Sequence, residues 1–257
     1  CALALAVLLC MALPARAADI EMIAPAMPPH FDAQGHGRIA DVVRAALARC
    51  GHHVHFTVVP FGRHWADYEA DTRYDALATA EADQTFSGYS SKPFMHLQDG
   101  ATVLADGGLE HIANVTALAG HAVVTFPQAE SILGIEATAR RFASLRHRAD
   151  RYDQVRQLLA GHSDAILADG LITAHFVQAV RDRADLGQEP DLDGGRAVVF
   201  RPIFATGPQR LYFRSAALRD DFDRCVGELD RSGELERIAR PYVERYRAIV
   251  GDAYPVK

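Results

Sequence analysis

From residue 19 onward, short apolar runs with strand periodicity alternate with stretches whose apolar residues recur every three or four positions. That alternation restricts the chain to an α/β sheet with crossover connections. DIEMIAPA (19–26) and HVHFTVVPF (53–61) read as strands flanking the helix GRIADVVRAALARCG (37–51), which Gly51 closes. A polar helix from Arg63 to Asp71 and a strand in YDALATA (74–80) follow, then a Ser- and Gly-rich loop and an extended segment, HLQDGATVLADG (96–107). A second unit repeats the pattern. HAVVTF (121–126) predicts a strand, QAESILGIEATARRFA (128–143) and RYDQVRQLLAGH (151–162) helices, SDAILAD (163–169) a strand, and GLITAHFVQAVRDR (170–183) a helix that starts directly after it. Strands over 197–205 and 209–215 return, and two helices over 217–233 and 234–249 close the chain, the first capped by Gly233.

Residues 1–17 stand apart. CALALAVLLCMAL is almost wholly apolar, and Pro14, Ala15, Arg16 and Ala17 then supply a breaker and small residues. This reads as a secretory signal peptide cut between Ala17 and Ala18, too short for a permanent span. Its basic start is missing, so the chain looks truncated at the front. A lipoprotein reading through Cys10 is the weaker one, because Leu9 precedes it. No second apolar segment reaches spanning length, so the remaining chain is expected to be exported to the periplasm. With a net charge of -6 and no block of Lys or Arg, nucleic acid is not an expected partner. Cys50 and Cys225 remain in an oxidising space, where they are either a disulfide or two buried thiols.

The order of pieces resembles the extracellular solute-binding proteins of family 3, the polar amino-acid receptors of ABC transporters. The pieces are PP-x-F at 28–31, YDALATA, YSSKPF (89–94), LAGHAVVTF (118–126), LLAGHSDAILAD (158–169), and a closing L-x-x-x-F (218–222) and L-x-x-x-G-x-L-x-x-I (229–238). The resemblance spans nearly the whole mature chain. It implies an α/β, two-lobe periplasmic-binding-protein fold (type II) with two interlobe crossover strands. The first lobe would take 18–100 and 201–257, the second 101–200. It also implies a monomer that captures a small polar or charged, amino-acid-like solute and delivers it to an inner-membrane ABC permease, with no cofactor.

The same resemblance assigns ligand contacts. In the D-A-x-x-x-D segment that begins at Asp164, the position of Asp169 is where the family takes a ligand's ammonium. Asp169 also precedes a helix, so it either binds ligand, caps that helix, or does both. The arginine that the family places shortly before its F-S-x-P-Y element, to hold a carboxylate bidentately, is absent; Asp83 stands in that neighbourhood, in EADQTFSG, with Thr85 and Tyr89 nearby. Gln128 and Ala129 replace the Gly-Thr expected after the second lobe's first strand. Arg63, near a helix start, is the best substitute for the missing cation. An ordinary α-amino acid is therefore not a secure expectation, and the sign of the ligand's charge stays open.

Phe31 is the preferred aromatic contact, with Trp65, Tyr68, Phe86 and Tyr89 near the expected mouth. His52, His53 and His55 crowd one turn and strand, but lack the third or fourth converging ligand of a metal site. An enzyme or a ligand sensor on the same fold is the alternative. Glu81, Asp83, Glu130 and Asp169 would be its candidate acids and bases by location, but there is no nucleophile elbow, P-loop or dinucleotide fingerprint.

Overall fold

A computed structural model describes residues 17–81 and 84–257. The signal-peptide reading over residues 1–16 and the placement of Asp83 lie outside the described residues.

The first sheet is built around β1 (Asp19–Ala26), which pairs in parallel with β2 (His53–Pro60) and β3 (Ala76–Ala80). Between β1 and β2 runs α1 (Arg38–Arg49), and between β2 and β3 runs α2 (Arg63–Ala70). β3 is buried throughout and tolerates no polar face, which explains its run of ALATA. The short strands β4 (Tyr89–Ser90) and β5 (Met95–Leu97) both pair with a strand from far along the chain, described below.

Gln98 alone then separates β5 from β6 (Asp99–Leu104), the first strand of a second, five-stranded sheet. That sheet adds β7 (Ala122–Thr125), β8 (Ser144–His147), β9 (Ala165–Asp169) and β10 (Val198–Arg201), in the order β10-β6-β9-β7-β8. The helix expected over 128–143 is two single turns instead, α3 (Ala129–Ile132) and α4 (Glu136–Ala139). Gly134 at φ 63° breaks the run between them, and β8 follows directly. α5 (Arg151–Leu159) and α6 (Gly170–Asp185) cover one face of the sheet through Val155, Leu158, Val177 and Val180. Leu118, Ile135 and Phe142 cover the other.

The chain returns to the first sheet as β11 (Gly207–Phe213), antiparallel to β3, β4 and β5. α7 (Ala216–Arg231) and α8 (Glu234–Glu244) then pack on α1, burying Phe222, Val226, Leu229, Leu235 and Ala239 with Val43 and Leu47. The closing helical run divides: α8 ends at Glu244 and a single turn, α9 (Arg247–Val250), starts after Tyr246. Val243, Tyr246, Val250 and Tyr254 pack with Leu171, Ala174 and Phe200, so the C-terminal run touches elements of the second sheet as well. Cys50, just after α1, is bridged to Cys225 in α7.

The two sheets are joined where two chain segments lie side by side. The Gln98 side chain donates to the Asp99 and Phe204 carbonyls, at 2.9 and 2.8 Å, and so clips the outgoing segment to the returning one. Phe200 lies flat against Gly100 and Gly170, and a Cβ at Gly170 would stand 2.8 Å from the ring. Neither position has room for a side chain.

Candidate functional site

The carboxyl end of β9 faces the junction between the sheets, and Asp169 closes it. The carboxylate is 3 % exposed and fully engaged. Oδ1 accepts from the Leu171 and Ile172 amides at 2.9 and 3.0 Å, capping α6, and from His30 Nε2 at 3.4 Å. Oδ2 accepts from the Gln98 amide at 3.0 Å and the Tyr254 hydroxyl at 2.7 Å. Burial alone would raise its pKa, but these donors hold the carboxyl below its usual range. A carboxylate accepts but does not donate, so His30 carries its proton on Nε2; its Nδ1 is buried without a partner among the described residues. Burial keeps that imidazole neutral by pulling its pKa below 6.5. The helix cap expected at Asp169 is present, and three further donors bind the same carboxylate.

Asp99 stands directly opposite Asp169 in the antiparallel register of β6 and β9. Side chains paired this way share one face of the sheet, and like charges there repel. Removal from bulk water, then Asp169, then Glu81, push the Asp99 carboxyl up to about 8, so it is mostly protonated at neutral pH. Part of its surface opens onto a small chamber between the sheets, about 30 Å3, also lined by Met27, Phe61, Phe126, Arg151 and Ile172. That is room for one or two waters. A second chamber, about 250 Å3, adjoins it and shares Phe61 and Arg151; Ala26, Pro60, Gly62, Pro127, Gln128 and Ala149 complete its wall.

Aromatic rings bridge the sheets at this boundary. Phe61, after β2, meets Phe126, after β7, edge to face at 6.0 Å. Behind Phe61 stand Trp65 at 5.1 Å and, stacked on Trp65 at 6.3 Å, Phe86. The Trp65 indole donates to the Thr79 carbonyl at 3.2 Å, supporting a β-branched residue held at φ 56° at the end of β3. His64 lies in the same cluster, 5.7 Å from Phe61, and burial lowers its pKa to about 3.

Two of the expected contacts line these chambers: Asp169 the inner one and Gln128 the outer one, the latter at φ 66°. Phe31 is fully buried in the first core, edge to face with Phe56 at 5.4 Å. Arg63 points to solvent, 67 % exposed, and pairs with Asp67 at 3.0 Å. Thr85 and Tyr89 are exposed and line neither chamber. Tyr68 is a core residue whose hydroxyl donates to the Ser87 carbonyl, and Glu130 accepts from His147 near the surface. His52 is buried, not solvated: it accepts from the Ala18 amide and bonds Asp221. Among the described residues no group of three His, Cys, Asp or Glu is placed to hold a metal ion.

Arg151 is the cation that sequence reasoning passed over. It follows the cap Asp150, which accepts from the Tyr152 and Asp153 amides, and so begins α5 at the cleft. Its guanidinium lies over the Phe126 ring, 4.9 Å from the centroid. Burial pulls its pKa to about 10, with Asp99 and Asp169 opposing, and it stays charged. In sequence it is one basic residue at a helix start; only the fold shows which start faces the cleft.

No family model matches this chain, and no curated protein matches it. Solved structures do. An ancestral arginine-binding protein bound to glutamine superposes with a TM-score of 0.66 at 16 % identity, over 87 % of this chain and 97 % of the other. This chain has the two-lobed periplasmic binding-protein fold. A histidine kinase sensor domain with similarity to periplasmic binding proteins matches at 0.66 and 16 % identity, over 88 % of this chain and 96 % of the other. A substrate-binding protein of an ABC uptake transporter from Streptococcus pneumoniae, with bound histidine, matches at 0.63 and 15 % identity, over 89 and 93 %. In this binding-protein fold the chambers between the sheets occupy the interlobe cleft. Among the described residues no helix is long and apolar enough to cross a membrane.

Proposed function

We propose that this chain is a periplasmic receptor that captures a small polar or charged solute between its two lobes and delivers it to an ABC-type permease. The observation that carries this reading is the pair of adjoining chambers at the sheet junction. They are lined from both sheets, by Phe61 and Leu97 on one side and Phe126, Arg151, Asp99 and Asp169 on the other. A solute that touches both sides stabilises the closed arrangement by its differential affinity, and a permease can recognise that state. The bound histidine and glutamine in two neighbours agree with a solute of this size. Residues 18–100 and 201–257 form one lobe in this reading and 101–200 the other.

A second reading has one observation behind it. A carboxyl that titrates near 8 inside a cleft is suited to general-acid work, so Asp99 keeps an enzyme of the same fold in play. A thermal-shift screen against amino acids, polyamines and organic acids, with analysis of each hit for conversion, separates the two. A stabilising ligand at a hundredfold its Kd adds about 2.7 kcal/mol. A hit recovered unchanged supports the receptor; a converted hit makes Asp99 a catalyst; the absence of any stabilising solute refutes the receptor.

A further inference from the structure

The two chambers of the cleft share one charged side chain. Arg151 lines both, and its Nη1 is buried with no hydrogen-bond partner among the described residues. A buried N–H without an acceptor is unfavourable, and a guanidinium at a cavity wall is satisfied best by a planar acid group. Resting on the receptor reading above, we propose that Arg151 anchors the acid group of the ligand, and that the ligand is a small carboxylic acid with an apolar body, for which an α-ammonium is not required.

The other groups of the cleft set the charge class. Asp169 already takes five donors, so neither of its oxygens waits for an ammonium. Asp99 is mostly protonated at neutral pH in the closed cleft, which makes it a donor toward a carboxylate. Glu81 accepts from the Gln209 side chain at 3.1 Å. A ligand with a second cation, such as arginine or a polyamine, would carry that cation into a chamber whose only lining Lys or Arg side chain, Arg151, repels it.

The walls set the body. Ala26, Pro60, Phe61, Pro127 and Ala149 make most of the outer chamber apolar, with Gln128 as its polar side chain besides Arg151. At about 250 Å3 it falls below the range of drug-sized pockets and suits a single ring or a short branched chain. An acid group at Arg151 would leave the body in this chamber against Phe61.

Three probes with one skeleton separate the charges. Phenylalanine carries both, 3-phenylpropionate only the acid, and phenethylamine only the amine. Calorimetric titration of the purified protein should show 3-phenylpropionate and phenylalanine binding and phenethylamine not. Arg151→Gln should weaken 3-phenylpropionate about tenfold to a hundredfold, with Arg151→Lys intermediate. The melting temperature of unliganded Arg151→Gln should fall only slightly, since Nη1 donates no bond and the contact over Phe126 is what is lost. Binding of phenylalanine and phenethylamine without 3-phenylpropionate overturns the proposal, as does an Arg151→Gln variant that keeps full affinity for the acid. Binding confined to arginine or polyamines overturns the ligand class and leaves the receptor standing. If no probe, amino acid, polyamine or organic acid binds, it is the receptor reading that fails.

Discussion

The Tyr254 hydroxyl donates to Asp169 Oδ2 at 2.7 Å, across 85 residues of chain. The same tyrosine ring stands 5.6 Å from the buried guanidinium of Arg38, which in turn holds the Pro255, Val256 and His96 carbonyls. The C-terminal segment is thus a strap from the first sheet's α1 to the end of β9. Tyr254→Phe removes one donor from a carboxylate buried away from bulk solvent, and should lower unfolding free energy by about 1–3 kcal/mol in urea titration. Asp169→Ala should cost more, because it also uncaps α6. A variant at Asp169 therefore reports the junction's integrity as much as any ligand contact. A Tyr254→Phe variant of unchanged stability would show that the strap contributes nothing.

Acid should weaken the fold through its buried histidines. His64 has a folded pKa of about 3 against 6.5 unfolded. The unfolded state binds the proton first, so the stability this group contributes is complete above pH 6.5 and is lost as pH falls toward 3. At pH 5 the loss is about 2 kcal/mol. His30, shifted in the same direction, adds to it. Asp99 works against both: raised to about 8, it favours the folded state as pH falls through that window. By these values Asp99 offsets the loss at His64 between pH 7.5 and 5, so the histidine effect is exposed in Asp99→Asn, whose urea midpoint should fall with acid more steeply than the parent's. An Asp99→Asn midpoint that holds or rises toward pH 5 would contradict the buried, neutral histidines.

The bridge between Cys50 and Cys225 ties α1 to α7 over a sequence separation of 175. In the chain-entropy account, a loop of that length is worth about 5 kcal/mol against the unfolded state. The double variant Cys50→Ala, Cys225→Ala should therefore unfold at clearly lower guanidinium concentration, and a reductant should shift the parent but not the variant. Equal sensitivity of both to reductant would remove the bridge from the account.

How much of this was legible in the chain differs from element to element. β1 and β2 were readable because Ile20 and Met22, then Val54, Phe56 and Val58, alternate with Asp19, Glu21, His53, His55 and Thr57, the period of a strand with one face turned inward. α1 and α7 were readable because a single apolar stripe faces the core. The stretch 128–143 misled because its apolar spacing fits a helix, while Gly134 in a left-handed turn cuts it and leaves Ser144–His147 free to join the sheet. At the cleft, Asp169 was legible from its place between strand and helix. Arg151, Asp99 and Phe61 were not, because nothing local distinguishes a cleft residue from a surface one. Asp99 gains its character from burial at the junction and from standing opposite Asp169, seventy residues away in sequence.

Gly100 marks the closest approach in the crossover. A Cβ there would overlap the Arg201 carbonyl and strike the Phe200 ring. Gly100→Ala should push β10 away from β6 and cost about 1–3 kcal/mol, visible as a lower melting temperature. Gly108, with open space around the position of its missing Cβ, is the contrast: Gly108→Ala there carries only the strain of its φ of 80°. Equal losses at the two sites would mean that the packing at the crossover is not the cause.

Phe61 and Phe126 make the ring contact that spans the cleft, and the strength of that contact bears on how the empty protein rests. An edge-to-face pair adds about 0.5–1.5 kcal/mol beyond the area it buries. With a closed-to-open difference of a few kcal/mol, as is usual for two-state proteins, its removal is enough to change the populations. Phe61→Ala should therefore raise the radius of gyration of the empty protein in small-angle X-ray scattering, while a saturating ligand should bring it back. The unfolding free energy should change less than for Phe31→Ala, which opens a cavity in a sealed core at about 3–5 kcal/mol. If the radius of gyration stays put in Phe61→Ala, closure rests on the His30, Tyr254 and Gln98 bonds to Asp169, and Tyr254→Phe becomes the variant that should open it.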